Sequence, residues 1–226
     1  MSSAAVKRHG VRQRLLQGAG LALVLLCLLP ATACRTLPAT LKVGLVAPFE
    51  GRWRDIGYDA IYAARLAIRE VNERGGIDGY RVELVALDDG GDARLAAEAA
   101  ATLVADPEVL VALGHWLPET TAAAAPVYEA ASLALLALGV APLDESDPAL
   151  LPEDFRQAYA EVSPFDEVAG SYAGATYDAL WLALSALRVA ESQDALSREA
   201  VITTLQSLQY QGVTGPVFQP ATDAVE

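Results

Sequence analysis

KVGLVAPFEG, residues 42–51, is the stretch of sequence that decides the fold. Its first six residues are a compact β-branched and apolar run that ends at Pro48. Such a run is typical of a strand that is buried on both faces. A strand of that kind needs helices above and below its sheet, so the chain after it should supply them.

A helix is predicted over residues 57–74, directly after this strand. Its apolar residues recur at helical spacing and are Ile61, Ala64, Ile68 and Val71. Gly75 and Gly76 follow Arg74, and glycine at this place is typical of a helix C-cap.

Strands and helices alternate from there to Pro142. Further strands are predicted at residues 81–87, 109–113 and 134–138, and further helices at residues 93–105 and 119–131. This alternation predicts an α/β fold with a doubly wound parallel sheet, in three layers of helix, sheet and helix.

The pattern changes after Pro142 to an acidic, proline-bearing connector, LDESDPALLPED. Helices are predicted near residues 155–160, 175–190 and 198–209, with a possible final strand within residues 212–218. The apolar stripe of the second of these helices indicates core rather than a ligand site.

The first 34 residues have the layout of a secretory signal, with a basic segment, an apolar run and small residues before Cys34. A cysteine directly after small residues resembles the bacterial lipoprotein box, which implies that Cys34 carries a lipid. The alternative is an uncleaved membrane anchor, since the apolar run nearly spans a bilayer. Both interpretations place the body outside the cytoplasm, in the periplasm or on the outer face of the membrane.

Composition excludes several classes of function. The net charge of −13 includes four leader cations, Lys7, Arg8, Arg12 and Arg14, so the remainder carries about −17, and a nucleic acid is not expected as a partner. Cys27 and Cys34 are the only cysteines, and His9 and His115 the only histidines. We therefore expect neither a disulfide framework nor a metal site in the body.

Five segments resemble the N-terminal lobe of the periplasmic solute-binding proteins of branched-chain amino-acid (Leu/Ile/Val) ABC transporters, which have the class I periplasmic-binding fold. They are KVGLVAPFEG, VNERGGIDGYRVEL, the Asp88–Asp89 pair, AEAAATLVADPEVLVALGH and PVYE. The later segments FRQAYAE, YAGATYDALWLALSAL and GVTGPVF are similar to the C-terminal end of the same family.

The resemblance implies that most of the second lobe is missing, because only the connector separates the two matching parts. It gives a signal peptide at residues 1–33, a linker at 34–41, the N-terminal lobe at 42–142, the connector at 143–154, and C-terminal helices that pack on the lobe, with a short tail, at 155–226. A single lobe is expected to bind its ligand weakly.

The candidate site lies at the carboxyl ends of the strands, where ligands of open α/β sheets collect. The candidate residues are Trp53, His115, Trp116, Thr120, Thr121, Leu138 and Gly139. The resemblance implies that backbone N–H groups and hydroxyls at the start of the third helix hold an amino-acid carboxylate. Two residues argue against that role, since Pro118 lacks an N–H and Glu119 adds a negative charge. Alternatively, these two residues simply start a helix well.

Other residues at this edge of the sheet can be interpreted in more than one way. Trp53 and Trp116 are expected to meet a ligand or partner, or else to cover their own loops. His115 is expected to be a hydrogen-bonded loop residue. Asp88, Asp89 and Asp92 suggest calcium, but their spacing is not that of an EF-hand.

The leading hypothesis is a binding module for a small polar solute such as an amino acid, with an ABC permease as partner. The alternative is a single-lobed interaction or remnant protein whose former inter-lobe face, bearing Trp53, Trp116 and Leu138, binds a partner or a second copy. An enzyme is not expected, nor a cofactor, because no nucleotide-binding glycine motif or G-x-S-x-G elbow occurs.

Overall fold

Four parallel strands form the centre of the fold, in the order β2-β1-β3-β4. The computed structural model describes residues 39–193 and 195–218. The strands of this sheet are β1 Thr40–Ala47, β2 Arg81–Asp88, β3 Val109–Gly114 and β4 Ala134–Ala137. The helices are α1 Arg54–Glu73, α2 Ala93–Ala105, α3 Pro118–Ala130, α4 Glu153–Val162, α5 Ala173–Ser192 and α6 Arg198–Leu205. The prediction of a doubly wound parallel α/β sheet is confirmed.

Helices cover both faces of the sheet, as the apolar run of β1 requires. Val43 and Leu45 face a core shared with α1, α5 and α6, whereas Val46 faces one shared with α2 and α3. Gly44 allows α2 to approach, because a methyl group there would lie 2.5 Å from Leu103 Cδ1.

Helix α1 ends at the predicted glycine pair. The N–H of Gly75 donates to Asn72 O at 3.0 Å and that of Gly76 to Val71 O at 2.9 Å. Both glycines have positive φ, 96° and 80°, which completes a Schellman motif. The Asn72 side chain then bonds both the N–H and the carbonyl of Val82, at 2.9 and 2.8 Å, and so occupies part of the outer edge of β2.

Helix α5 packs along α1 and is held there by polar contacts. Tyr177 Oη donates to Glu70 at 2.7 Å, and the guanidinium of Arg74 lies 4.9 Å from the Trp181 ring. The segments on either side of α4 also meet each other, because Ser146 N donates to Ser171 O at 2.9 Å.

The helix predicted over residues 198–209 ends earlier than expected, at Leu205, and this prediction is wrong at its end. Gln209–Gln211 is instead a strand, β5, paired antiparallel with β6 at Pro216–Phe218. The final strand is therefore shorter than residues 212–218. The buried Asp178 accounts for the change, since it accepts hydrogen bonds from the N–H groups of Val213 and Thr214, at 2.8 Å each, in the turn between the strands.

Other boundaries differ slightly from prediction: α1 begins three residues early, at Arg54, and β4 stops at Ala137. The predicted signal sequence, Cys34 and the final tail lie outside the described residues. Within the part that is described, no helix is both long and apolar enough to cross a membrane.

Candidate functional site

The loops that follow the four parallel strands meet at one edge of the sheet, because parallel strands end on the same side. They are residues 48–53 after β1, 89–92 after β2, 115–117 after β3 and 138–142 after β4. All seven predicted ligand-binding residues lie in these loops or in the first turn of α3.

His115 is fully buried and joins two of these loops. Its Nδ1 lies 2.8 Å from Asp89 Oδ2 and its Nε2 lies 3.3 Å from Tyr128 Oη. An ionised carboxylate only accepts, so Nδ1 donates the hydrogen bond to Asp89. Burial, and then the charge of Asp89, raises the pKa of Tyr128. The histidine therefore holds the site together but does not reach its surface.

Asp89 connects this histidine to the loop after β2. Its second oxygen accepts from Gly91 N at 2.9 Å. Gly91 has positive φ and supports Trp53, since a methyl group at Gly91 would lie 2.8 Å from Trp53 Cδ1 and 3.1 Å from Leu117 Cδ1. His115 is thus connected to Trp53 through the loop between them. Sequence reasoning missed this connection, because nothing local indicates which carboxylate the histidine meets.

The two predicted hydroxyl donors point into the protein. Thr120 Oγ1 donates to Leu117 O at 2.9 Å, and Thr121 Oγ1 donates to His115 O at 2.8 Å. Their residues are only 1% and 4% exposed. What the start of α3 offers to solvent is consequently its backbone, together with the exposed Pro118 and Glu119.

The two tryptophans differ in exposure. Trp116 is 6% exposed and belongs to the main core, so it does not lie on an exposed inter-lobe face, as the single-lobed alternative expected. Leu138, 1% exposed, is buried as well. Trp53 is half-buried, with the Arg52 guanidinium 4.7 Å from its ring and its buried Nε1 lacking an acceptor among the described residues.

The loop after β4 closes on itself. Gly139, at φ 79°, donates from its N–H to Leu143 O at 2.9 Å, and Leu143 N donates to Val140 O at 2.7 Å. A side chain on Gly139 would collide with Trp116, since its Cβ would lie 2.5 Å from Trp116 O. Gly139 therefore shapes the edge through its backbone.

The three aspartates that suggested calcium hold backbone turns. Asp88 Oδ1 accepts from Phe49 N and Gly90 N at 2.8 Å each, and Asp92 caps α2 by accepting from Arg94 N and Leu95 N. Asp89 is engaged with His115 as described. Over residues 39–193 and 195–218 the structure gathers no group of three or more potential metal-ligating side chains.

A family model described as periplasmic binding protein matches residues 40–150. These residues supply all four parallel strands and every loop of the candidate site. Residues 40–150 are a periplasmic binding protein domain. The predicted family is confirmed.

Curated relatives in this family are similar over the same part of the chain. The Leu/Ile/Val-binding protein of Escherichia coli is 29% identical over 110 residues, which are 49% of this chain and 30% of the relative. An amino acid binding protein of Pseudomonas aeruginosa is 28% identical over 101 residues, 45% of this chain and 27% of the relative. The match thus spans less than a third of either relative. Both are binding proteins, in agreement with the prediction that the chain is not an enzyme.

Solved structures show the same fold at lower identity. The branched-chain amino acid transporter substrate-binding protein of Streptococcus pneumoniae, bound to isoleucine, aligns with a TM-score of 0.63 at 16% identity, over 80% of this chain and 92% of its own. A fatty acid transporter substrate-binding protein of Thermomonospora curvata aligns with a TM-score of 0.65 at 14% identity, over 80% and 84% of the two chains.

Proposed function

We propose that this chain is an extracytoplasmic solute-binding lipoprotein of the branched-chain amino-acid importer type that retains one lobe and binds its ligand weakly. The observation that carries the proposal is the periplasmic binding protein domain at residues 40–150, whose strands bring all the candidate loops to one edge. The ligand is a small polar solute such as leucine, isoleucine or valine, and the partner in transport is an ABC permease.

The ligand carboxylate is assigned to the N-terminal turn of α3, beside Trp53. The first N–H groups of a helix have no intrahelical acceptor and favour an anion. Pro118 removes one of these donors, which leaves the N–H groups of Glu119 and Thr120. Trp53 and Leu117, which both lie close to Gly91, supply apolar surface at the same edge.

Weak binding follows from the contacts that this lobe lacks. Thr120 and Thr121 already use their hydroxyls on backbone carbonyls, and Glu119 places a negative charge in the same turn. A single lobe also leaves half of the ligand in water, whereas affinity at small polar sites depends on a water-excluded cavity. Losing two or three polar contacts at about 1 to 3 kcal/mol each moves a micromolar site to about millimolar.

The test is an NMR titration of residues 35–226 with leucine, isoleucine and valine, since the described residues, 39–193 and 195–218, belong to one compact unit. We expect a Kd of about 1 mM or weaker. Glu119→Gln should tighten binding by about 2- to 5-fold, because the negative charge of Glu119 repels the ligand carboxylate. One exposed charge at a helix start is worth about 0.3 to 1 kcal/mol. Glu129→Gln, in the last turn of the same helix, is the matched control and should leave the Kd unchanged.

Two results would contradict the proposal. A micromolar Kd from a proven monomer would show that one lobe suffices, and no binding at tens of millimolar would remove solute binding altogether. Equal effects of the two glutamate substitutions would move the site away from the start of α3.

Membrane attachment through Cys34 is part of the same proposal. Cys34 directly follows the small residues of the predicted signal and would be the only cysteine left after cleavage. Radiolabelled palmitate should enter the wild-type protein in bacteria and should not enter Cys34→Ser. Equal labelling of both proteins, or of neither, would exclude lipidation at this residue.

A further inference from the structure

The outer face formed by α1, α4 and the edge strand β2 carries a groove rich in arginine. Its volume is about 450 Å³, and we name it the arginine groove, lined by Arg65, Ile68, Arg69, Arg81 and Leu84 together with Asn72 and Glu73. Arg65 and Arg69 are four residues apart on α1, where like charges repel. In the described part of the chain Arg65 has no ion-pair partner and contacts the Tyr62 ring, 5.7 Å away.

An acidic and apolar surface lies beside this groove. Phe165 and Val168, in the loop after α4, are each 82% exposed, far more than large apolar side chains usually are in a folded core. Glu161, Asp166 and Glu167 surround them in sequence. We name these five residues the acidic knob.

The two surfaces are contiguous. Arg69 Nη2 lies 3.7 Å from Glu161 Oε2, which joins the groove to the knob. The Tyr62 ring, 5.7 Å from the Arg65 guanidinium, is also affected by the knob, since burial and then the charge of Glu167 raise its pKa. A cationic groove and an anionic knob are therefore neighbours on one face.

We propose that this face binds a second copy of the chain about a two-fold axis, with the acidic knob of each copy in the arginine groove of the other. A two-fold axis can place the groove of each copy against the knob of the other. Adjoining patches of opposite charge are therefore self-complementary. A wholly basic partner would be repelled by the arginines, and a wholly acidic partner would be repelled by the knob. Only a partner with both charges side by side satisfies the whole face.

Apolar contacts complement the charges. The half-buried Ile68 and Leu84 form the floor of the groove, and Phe165 and Val168 are the side chains that would cover it. Burial of these side chains supplies the affinity, whereas the rim charges fix the orientation and make the association sensitive to salt. This surface is separate from the loops of the candidate site, so the proposal does not depend on solute binding.

The test is sedimentation equilibrium of residues 35–226 at tens of micromolar, at low and at high salt. We expect a dimer that dissociates as the salt concentration rises. Arg65→Glu with Arg69→Glu should give a monomer, because groove and knob then repel. Glu161→Lys with Glu167→Lys should give a monomer for the same reason with the signs reversed.

Mixing the two monomeric variants should restore a dimer, because one copy is then acidic and the other basic across the whole face. Arg94→Glu with Arg188→Glu, two exposed arginines on α2 and α5, makes the same change in net charge and should remain dimeric. Phe165→Ser with Val168→Ser, at positions already exposed, should weaken the dimer at least 10-fold, about 1.4 kcal/mol.

Three outcomes would overturn the proposal: a wild-type protein that stays monomeric at about 100 μM, a dimer that survives both charge reversals, or reversed variants that fold and fail to associate when mixed. Restoration on mixing supports it, since variants that had merely lost their fold could not recover one another.

Discussion

The bond between His115 and Asp89 is the interaction on which the candidate site depends most at the scale of single residues. Both side chains are buried, and His115→Ala would leave the Asp89 carboxylate without its partner. Breaking such a pair costs about 3 kcal/mol or more in free energy of unfolding, measurable by urea denaturation. Tyr128→Phe removes only the weaker 3.3 Å bond and should cost about 1 kcal/mol. A stability equal to wild type in His115→Ala would contradict this account.

Sequence reasoning placed His115 correctly as a hydrogen-bonded loop residue, because it follows the glycine that ends a buried strand. It could not supply the partners, which lie 26 residues before and 13 residues after it. Trp116 was expected either to meet a ligand or partner or to cover its own loop. Its burial depends on Leu138 and Gly139, which the fold brings from another loop.

At the scale of elements, the glycine pair after α1 gives a matched comparison. A methyl group at Gly76 would lie 1.9 Å from Tyr80 O, whereas at Gly75 it would meet nothing within 4 Å. Both positions have positive φ, so either alanine substitution costs about 1 kcal/mol in backbone strain. Gly76→Ala should lower the free energy of unfolding by clearly more than Gly75→Ala, as measured by thermal denaturation. Equal losses would show that strain alone matters here.

Strands and helices were predictable where their signals are local. The apolar run of β1 and the glycines after α1 are signals of this kind, and both elements lie within three residues of their predicted bounds. The end of α6 was not predictable, because helical periodicity continues through Leu208 in the sequence. The chain leaves the helix to reach Asp178, a residue on another element whose position depends on the packing of α5.

At the scale of the whole molecule, the tyrosines predict loss of stability in alkali. The pKa is raised in six of the eight tyrosines, first of all by burial: Tyr62, Tyr128, Tyr159, Tyr172, Tyr177 and Tyr210. Burial, with a hydrogen bond to Glu145, raises the pKa of Tyr172 to about 12.

In the unfolded chain these phenols lose their protons near pH 10, whereas in the folded chain they keep them to higher pH. Their contribution is complete below about pH 10 and is lost as the pH rises above it, so the free energy of unfolding should fall between about pH 9 and pH 12. Urea unfolding across this range is the measurement, and Tyr128→Phe should reduce the fall. An unfolding midpoint independent of pH would contradict it.

The hydrogen bond between Ser146 and Ser171 bears on how long the segment between these two residues can be. The 24 intervening residues leave and rejoin the body at two points 2.9 Å apart. Each doubling in the length of a flexible loop with fixed ends costs only about 0.6 kcal/mol in closure entropy. A longer segment inserted between these two residues should therefore disturb the central sheet little. The sheet from β1 to β4 should in this sense accept connecting segments of very different length at this one place.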